Sequence, residues 1–448
     1  MNKILTILSA VALVGLSTGC DKYLELEPSQ NISENIALTS DKNVKSVLLG
    51  AYSQFASTYT YGGNLLMNAE LLAGDGEIQW VGTYIDPRQV FNKTMIASNS
   101  QASAHWADSY KVINTVNNVL SGLAVVKDAD RERVEGEALF LRGLMYFDLV
   151  RFFADQYKFG SANTQYGVPL VLTATHGIDE SSFITRNTVD EVYNQIITDL
   201  SAAAAKLPED NDVYASIGAA NALLARVYLQ KGDYAKARDA ASTVIESGMY
   251  ELQTTYAGVF NNDNSTAEDI FATQFTPQDR SSAMTEFFSV PEYGGRTGDI
   301  DILDGHLNLY PEGDQRFDLF FVGEGAIRCG KWNNQYGIVN LFRLAEMYLI
   351  RAECNTRLST AVGATALEDF NAIHTRAGLD AATSVTLDNI LLERRLELAF
   401  EGAKIHDMKR LHQNVGALTY DSPKLLFPIP AREIEANPKL KTQQNPGY

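Results

Sequence analysis

Residues 221–248 read NALLARVYLQKGDYAKARDAASTVIESG, two helical stripes divided by Gly232-Asp233. Ala225, Tyr228, Tyr234, Ala237, Ala241 and Val244 recur at the three- and four-residue steps that align side chains on one helix face. Gly232 suits the left-handed residue that ends a helix, and Asp233 offers a carboxylate to the first free N–H groups of the next one. Small Ala225 and Ala237 let the two helices approach closely. The stretch therefore predicts an antiparallel helix hairpin, and because one hairpin cannot bury its own apolar face, it must stack on others.

Its spacing is of the tetratricopeptide type. A second hairpin begins with Leu341, Leu344, Ala345, Tyr348, Leu349 and Ala352 and is completed by Ala366, Phe370 and Ile373. Earlier stripes run through Val44, Leu48, Ala51 and Phe55, through Trp106, Tyr110, Ile113 and Val116, and through Val134, Ala138, Leu141 and Met145. Another, through Val189, Val192, Ile196 and Leu200, opens with the capping box Thr188 and Glu191. A single long charged helix is expected from Leu387 to His412. The fold class is all-α, an α-α superhelix of about four helix pairs over residues 41–58, 103–248 and 340–412. Residues 59–102 and 249–339 lack sustained periodicity and read as irregular loops with short helices or strands; insertions of this kind are where a repeat scaffold carries its binding site.

The N-terminus carries a second signal. Lys3 precedes the apolar run Ile4 to Leu16, which is too short to span a bilayer, and Leu16-Ser17-Thr18-Gly19-Cys20 reads as a lipoprotein cleavage box. Residues 1–19 are then a cleaved signal peptide, Cys20 takes the lipid on its sulfur, and 20–448 form one domain. Two or more acyl chains anchor a protein durably. The leucine stands four residues before the cysteine, one more than usual, which leaves ordinary cleavage or an uncleaved anchor as competing readings.

Composition narrows the chemistry. With 55 acidic and 37 basic side chains and no long Lys/Arg run, nucleic acid is not an expected partner. Cys329 and Cys354 make neither a disulfide framework nor a metal cluster; they are two idle thiols or one disulfide. Gly325 to Lys331 has the spacing of a phosphate-binding loop, but Trp332 stands where Ser or Thr would hold magnesium. Asp299, Asp301 and Asp304 hint at a cation loop without the EF-hand spacing. No nucleophile motif, histidine metal motif or distinctive carboxylate pair appears, so neither a metal, a cofactor nor an enzymatic activity is expected.

Further motifs lie in register from end to end. They are Cys20-Asp21-Lys22-Tyr23-Leu24 with Pro28, LFLRGLMYFDLVRFF (139–153), GVPLV (167–171), IITDLSAAAAKLP (196–208) and AANALLARVYLQKGDYAKA (219–237). GDQR (313–316), FRLAEMYLIRAE (342–353), ERRLELAFEG (393–402) and the tail FPIPAREIEANPKLKTQQNPGY (427–448) complete the series. Together they resemble the SusD/RagB family of nutrient-uptake outer-membrane lipoproteins across essentially the whole chain. The resemblance implies a tetratricopeptide-like scaffold and a surface lipoprotein that captures oligosaccharide or oligopeptide. It also implies a partner, a SusC-like TonB-dependent β-barrel transporter on which the protein sits as a lid that closes by a hinge. Lys404, Ile405 and His406 depart from the family's Arg and aromatics before Asp407-Met408. Arg142, Arg394 and Asp407 read as residues that tie helices together. A tetratricopeptide-type envelope scaffold without a small ligand is the rival reading.

A sugar ring or an extended peptide is captured by flat aromatic faces with amide and charged groups beside them. In the first loop region these are Trp80 and Tyr84, near Asp75. In the second they are Phe288, Tyr293 and Arg296, with Trp332 and Asn333 at its end. Trp80 leads, since the family resemblance implies ligand-contacting aromatics in this part of the chain. Trp106, on a helical stripe, is expected in the core.

Overall fold

The computed structural model describes residues 38–177, 179–278 and 281–448. Cys20 and the signal segment lie outside the described residues. Helix α1 (Asp41–Phe55) starts at Ser40, whose hydroxyl accepts the N–H of Asn43, and buries the expected stripe Val44, Leu48, Ala51 and Phe55. In the first loop region, α2 (Asn64–Ala73) is buried at every position, and it is followed by β1 (Ile78–Trp80) and α3 (Ile85–Asn92). The scaffold resumes with α4 (Ser100–Ser121), α5 (Asp128–Phe153) and α6 (Val189–Lys206), the last opened by the Thr188–Glu191 capping box.

The hairpin α7 (Ile217–Lys231) and α8 (Tyr234–Glu246) forms as its residues dictate. Gly232 ends α7 at φ +78°, and the Asp233 side chain accepts the N–H of Lys236. Any Cβ at Gly232 would be strained by that backbone conformation. Ala225, Ala237 and Ala241 are fully buried between the helices.

The second loop region supplies β2 (Asp269–Thr273), α9 (Ala283–Phe288), β3 (Ile300–Ile302), β4 (Phe320–Gly323), β5 (Ala326–Cys329) and β6 (Val339–Arg343). These strands form two-stranded antiparallel ribbons, β1 with β3, β2 with β6 and β4 with β5, and Trp80 lies opposite Ile300. Then come α10 (Leu344–Leu358), α11 (Ala366–His374), α12 (Leu387–Glu397) and α13 (Lys404–Arg410). Contacts run in chain order from α1 through α4, α5, α6, α7, α8 and α10 to α11. The pairs are α1/α4, α5/α6, α7/α8 and α10/α11, which is the superhelix that the repeat spacing predicts.

The long helix expected over 387–412 is in fact two. Phe400 (φ +61°) and Gly402 (φ +78°) take left-handed conformations that no α-helix admits. The Phe400 ring is buried against Phe288, Phe320 and His306. The break also delivers Glu397 and Glu401 to Arg343, whose guanidinium holds Glu268 (2.7 Å), Glu397 (2.8 Å) and Glu401 (2.9 Å) in the interior. Arg376 joins Glu268 (2.7 Å) and Glu397 (2.5 Å) from α11's end. Such a junction locks α12, α11 and β6 together, because removing any one partner strands a buried charge.

The motif residues are structural, as read. Arg142 grips Asp199 with two hydrogen bonds of 2.8 and 2.7 Å and donates to Asn117. Arg394 links Asp407 (2.8 Å) and Glu346 (3.0 Å). The tail is pinned by Arg186, which donates to the Gln443 carbonyl and to Asn445 Oδ1. Trp106 is in the core against Tyr110 and Phe153. Among the described residues, no helix is long and apolar enough to cross a membrane.

Candidate functional site

The sequence runs from a buried aromatic to an exposed one in five residues. Trp80 ends β1, where pairing with Ile300 turns its indole inward onto Phe287, with ring centroids 5.7 Å apart. Past it the chain is held tightly, since the N–H groups of Val81 and Gly82 both donate to the Asp299 carbonyl (2.9 and 3.2 Å). A Cβ at Gly82 would come within 2.3 Å of Asp299 Oδ1, so only glycine allows this approach. Tyr84 then emerges just before α3 with 45% of its surface exposed, flanked by exposed Val81 and Ile85.

Arg296, from the loop after α9, lies across Tyr84. Its guanidinium carbon sits 4.1 Å from the ring centroid, a cation–π contact. Nε donates to Asp299 Oδ2 (2.8 Å), Nη1 to the Tyr84 hydroxyl (2.7 Å) and Nη2 to Thr83 Oγ1 (3.2 Å). A guanidinium carries five N–H groups, which leaves about two for an external acceptor. Burial pushes the Asp299 carboxyl up, and Arg296 beside it opposes that shift. The result is a small platform, an aromatic face and a fixed cation over a rigid aromatic floor of Trp80 and Phe287.

The other sequence candidates fall elsewhere. Asp75 is exposed at the opposite end of β1, on an open groove of about 460 Å³ with Lys93 and Lys424. Phe288, expected at the ligand, is fully buried in the core beside Phe400 because α9 turns that face inward. Trp332 is likewise interior, facing Phe260, and its indole N–H has no partner among the described residues. Trp80 is also buried and supports the platform from beneath. Tyr293 is half-buried with its ring edge on Phe321. Asn333 is engaged internally, accepting from Ser289 Oγ (2.6 Å) and donating its N–H to Asn261 Oδ1 (2.7 Å). Tyr84 and Arg296 are thus the sequence candidates that meet at the surface, with Trp80 below. Thr83 carries no signal in the sequence, and Asp299 stood out there only as a candidate cation ligand or carboxylate.

Among the described residues no cluster of His, Cys, Asp and Glu is disposed to hold a metal. Asp299 is taken by Arg296 and Asp301 by Arg328 (2.6 Å). Cys329 and Cys354 are free and buried, and burial pushes the Cys329 thiol up to about 12. A cavity of about 220 Å³ between α2, α12 and α13 is lined by Glu70, Glu77, His306, Arg395 and Lys404. Its charges already answer one another: Glu77 accepts from Lys404 (2.6 Å), Arg395 and His306 Nδ1 (3.0 Å). Burial holds His306 down to about 3, so the ring is neutral and donates from Nδ1.

Comparison with known proteins places this geometry in a family. A family model described as "Starch-binding associating with outer membrane" matches residues 22–229, and the model of the SusD family matches 185–448. The curated SusD-like protein P2 of Formosa agariphila is 26% identical over 100% of this chain and 99% of its own length. A SusD superfamily protein of Bacteroides thetaiotaomicron superposes with a TM-score of 0.82 at 26% identity, covering 91% of this chain and 100% of the other. The structure of a putative sugar binding protein from Bacteroides vulgatus gives 0.81 at 28% identity, covering 92% and 99%. Tetratricopeptide-like helix pairs, loop insertions between them and matched family models spanning residues 22 to 448 lead to one conclusion: the chain belongs to the SusD family.

Proposed function

We propose that this protein is a lipid-anchored, outer-membrane saccharide-binding subunit that captures oligosaccharide at the cell surface and delivers it to a TonB-dependent β-barrel transporter, over which it sits as a lid. The observation that carries the binding role is the platform of Tyr84 and Arg296, an exposed ring and a cation with spare N–H groups, fixed by Asp299 and Thr83. A sugar ring lays its C–H face on an aromatic and gives its hydroxyls to such donors. Support for saccharide over oligopeptide comes from the family description, starch-binding with outer-membrane association, and from the sugar-binding relative. The protein binds and does not catalyse. Lipid on Cys20 would supply the anchor.

A lid that shares its ligand with a barrel holds only part of the contacts, so the isolated protein binds weakly. The test is purification of the tagged chain from its native outer membrane in mild detergent, with mass spectrometry of what accompanies it. Recovery of a large β-barrel and trapped sugars is the expected result. Trapped peptides would move the cargo to oligopeptide. A solitary lipoprotein, under conditions that preserve other envelope complexes, would overturn the lid reading in favour of an envelope scaffold.

A further inference from the structure

Two arginines from different parts of the chain grip the turn that presents Tyr84. Arg296 reaches Thr83 and Tyr84 from the loop after α9. Arg88, exposed in the first turn of α3, reaches back to the same turn, and its Nη2 donates to the Gly82 carbonyl (2.7 Å). Gly82 and Thr83 adjoin in the chain, so the two guanidiniums are pinned to atoms about 5 Å apart at most. Both therefore border the exposed ring.

What this surface offers outward is chiefly donors. A guanidinium carries five N–H groups and accepts nothing. Arg296 keeps about two of them after Asp299, Tyr84 and Thr83 are served, and Arg88, whose one partner among the described residues is Gly82, keeps about four. Nearby carboxylates are sheltered or engaged: Asp299 is 2% exposed and held by Arg296, Glu286 is half-buried on α9, and Asp86 accepts the Ser100 hydroxyl. A sugar hydroxyl donates as well as accepts, and against such a surface its own proton goes unanswered. A carboxylate or a sulfate ester only accepts at neutral pH, and it gains charge-assisted hydrogen bonds from planar forks that match its oxygens.

We propose that the platform selects anionic sugars: a sugar ring lies on Tyr84 while a carboxylate or sulfate on that ring or its neighbour is gripped by Arg296 and Arg88, which makes Arg88 a specificity-determining residue. The inference rests on the saccharide reading above and narrows its substrate class. A chain of net charge −18 repels an acidic glycan at long range, so the exposed arginine pair is what supplies the attraction locally.

The test is isothermal calorimetry of the mature chain, in detergent, with matched pairs of hexasaccharides at millimolar concentration. One pair is oligogalacturonate and its methyl ester, which reads the carboxylate; the other is a carrageenan fragment and the same backbone desulfated, which reads the sulfate. The charged member of at least one pair should bind about tenfold or more tighter than its neutral twin. Arg88→Gln should cut that preference about fivefold or more and leave the neutral affinity unchanged; Arg88 is exposed, so the fold does not depend on it. Equal affinity within both pairs, or a preference for charge that Arg88→Gln leaves intact, would overturn the anionic selection and leave the saccharide platform standing. Failure of all four to bind the unaltered chain would overturn both.

Discussion

Arg343 and Arg296 carry the same side chain into two regions built for different ends. The side chain of Arg343, at the end of β6, is 1% exposed and engages three carboxylates at once. Arg296, on the loop face, has one carboxylate, one phenol and one hydroxyl, and keeps N–H groups in reserve beside an exposed ring. A guanidinium saturated by the protein is a tie between elements, whereas one left partly unsatisfied at the surface is a means of recognition. Each change below is aimed at that division.

Removing the tie should cost most. Arg343→Met leaves Glu268, Glu397 and Glu401 without their shared cation, and loss of about 3–5 kcal/mol is expected in chemical unfolding. A loss under about 1 kcal/mol would show that Arg376, on Glu268 and Glu397, and Lys331, 2.7 Å from Glu401, carry the junction alone.

Two buried glutamates sharpen the contrast by pH. Burial alone would raise Glu397, but Arg376, Arg343 and Arg316 outweigh it and hold it down to about 2. Its contribution to stability is therefore present above the ordinary carboxylate range and lost as pH falls through about 2. Among the described residues Glu70 has the Gly402 N–H (2.7 Å) as its hydrogen-bond partner; burial pushes it up to about 7, with Lys404 offsetting part of the shift. The protonated form is the one the fold favours, so Glu70's contribution is whole below about 4.5 and is lost as pH rises through about 7. Glu70→Gln should therefore match the parent at pH 4.5 and exceed it at pH 8 by on the order of 1–3 kcal/mol. Parallel melting curves at the two pH values check this, and an equal difference at both would contradict it.

On the loop face the signs separate. Tyr84→Ala should leave the melting temperature nearly unchanged, within about 0.5 kcal/mol, yet weaken saccharide capture by about 1–2 kcal/mol, roughly five- to thirtyfold. Calorimetry and thermal melting on the same sample read both, and a fall in stability equal to the fall in affinity would make Tyr84 a packing residue. The smallest effect belongs to the scaffold turn: Gly232→Ala, at φ +78°, should cost about 1 kcal/mol with binding untouched.

The repeat pairs were legible because their evidence is local. The step of three and four residues at Ala225, Tyr228 and Ala237, the Gly232-Asp233 turn and the Thr188–Glu191 box each act within a few residues. The division of 387–412 was not legible: its helical pattern runs through Phe400, and what bends the chain there is packing on Phe288 and Phe320, more than 70 residues away in sequence. The site was half legible. Tyr84 and Arg296 were among the expected contacts, but Phe288 and Trp332 look the same in sequence and are interior.

The helix pairs, their turns and caps and the family signature follow from the order of residues alone, since periodicity, capping and the glycine turn are short-range consequences of side-chain shape and backbone hydrogen bonding. Long-range packing sets which loop aromatics face outward, where α12 stops, which arginine is a tie and which is a platform, and that Cys329 and Cys354 stay apart. Those are set by what distant segments leave uncovered, and solvent exposure is a property of the packed whole rather than of any local stretch.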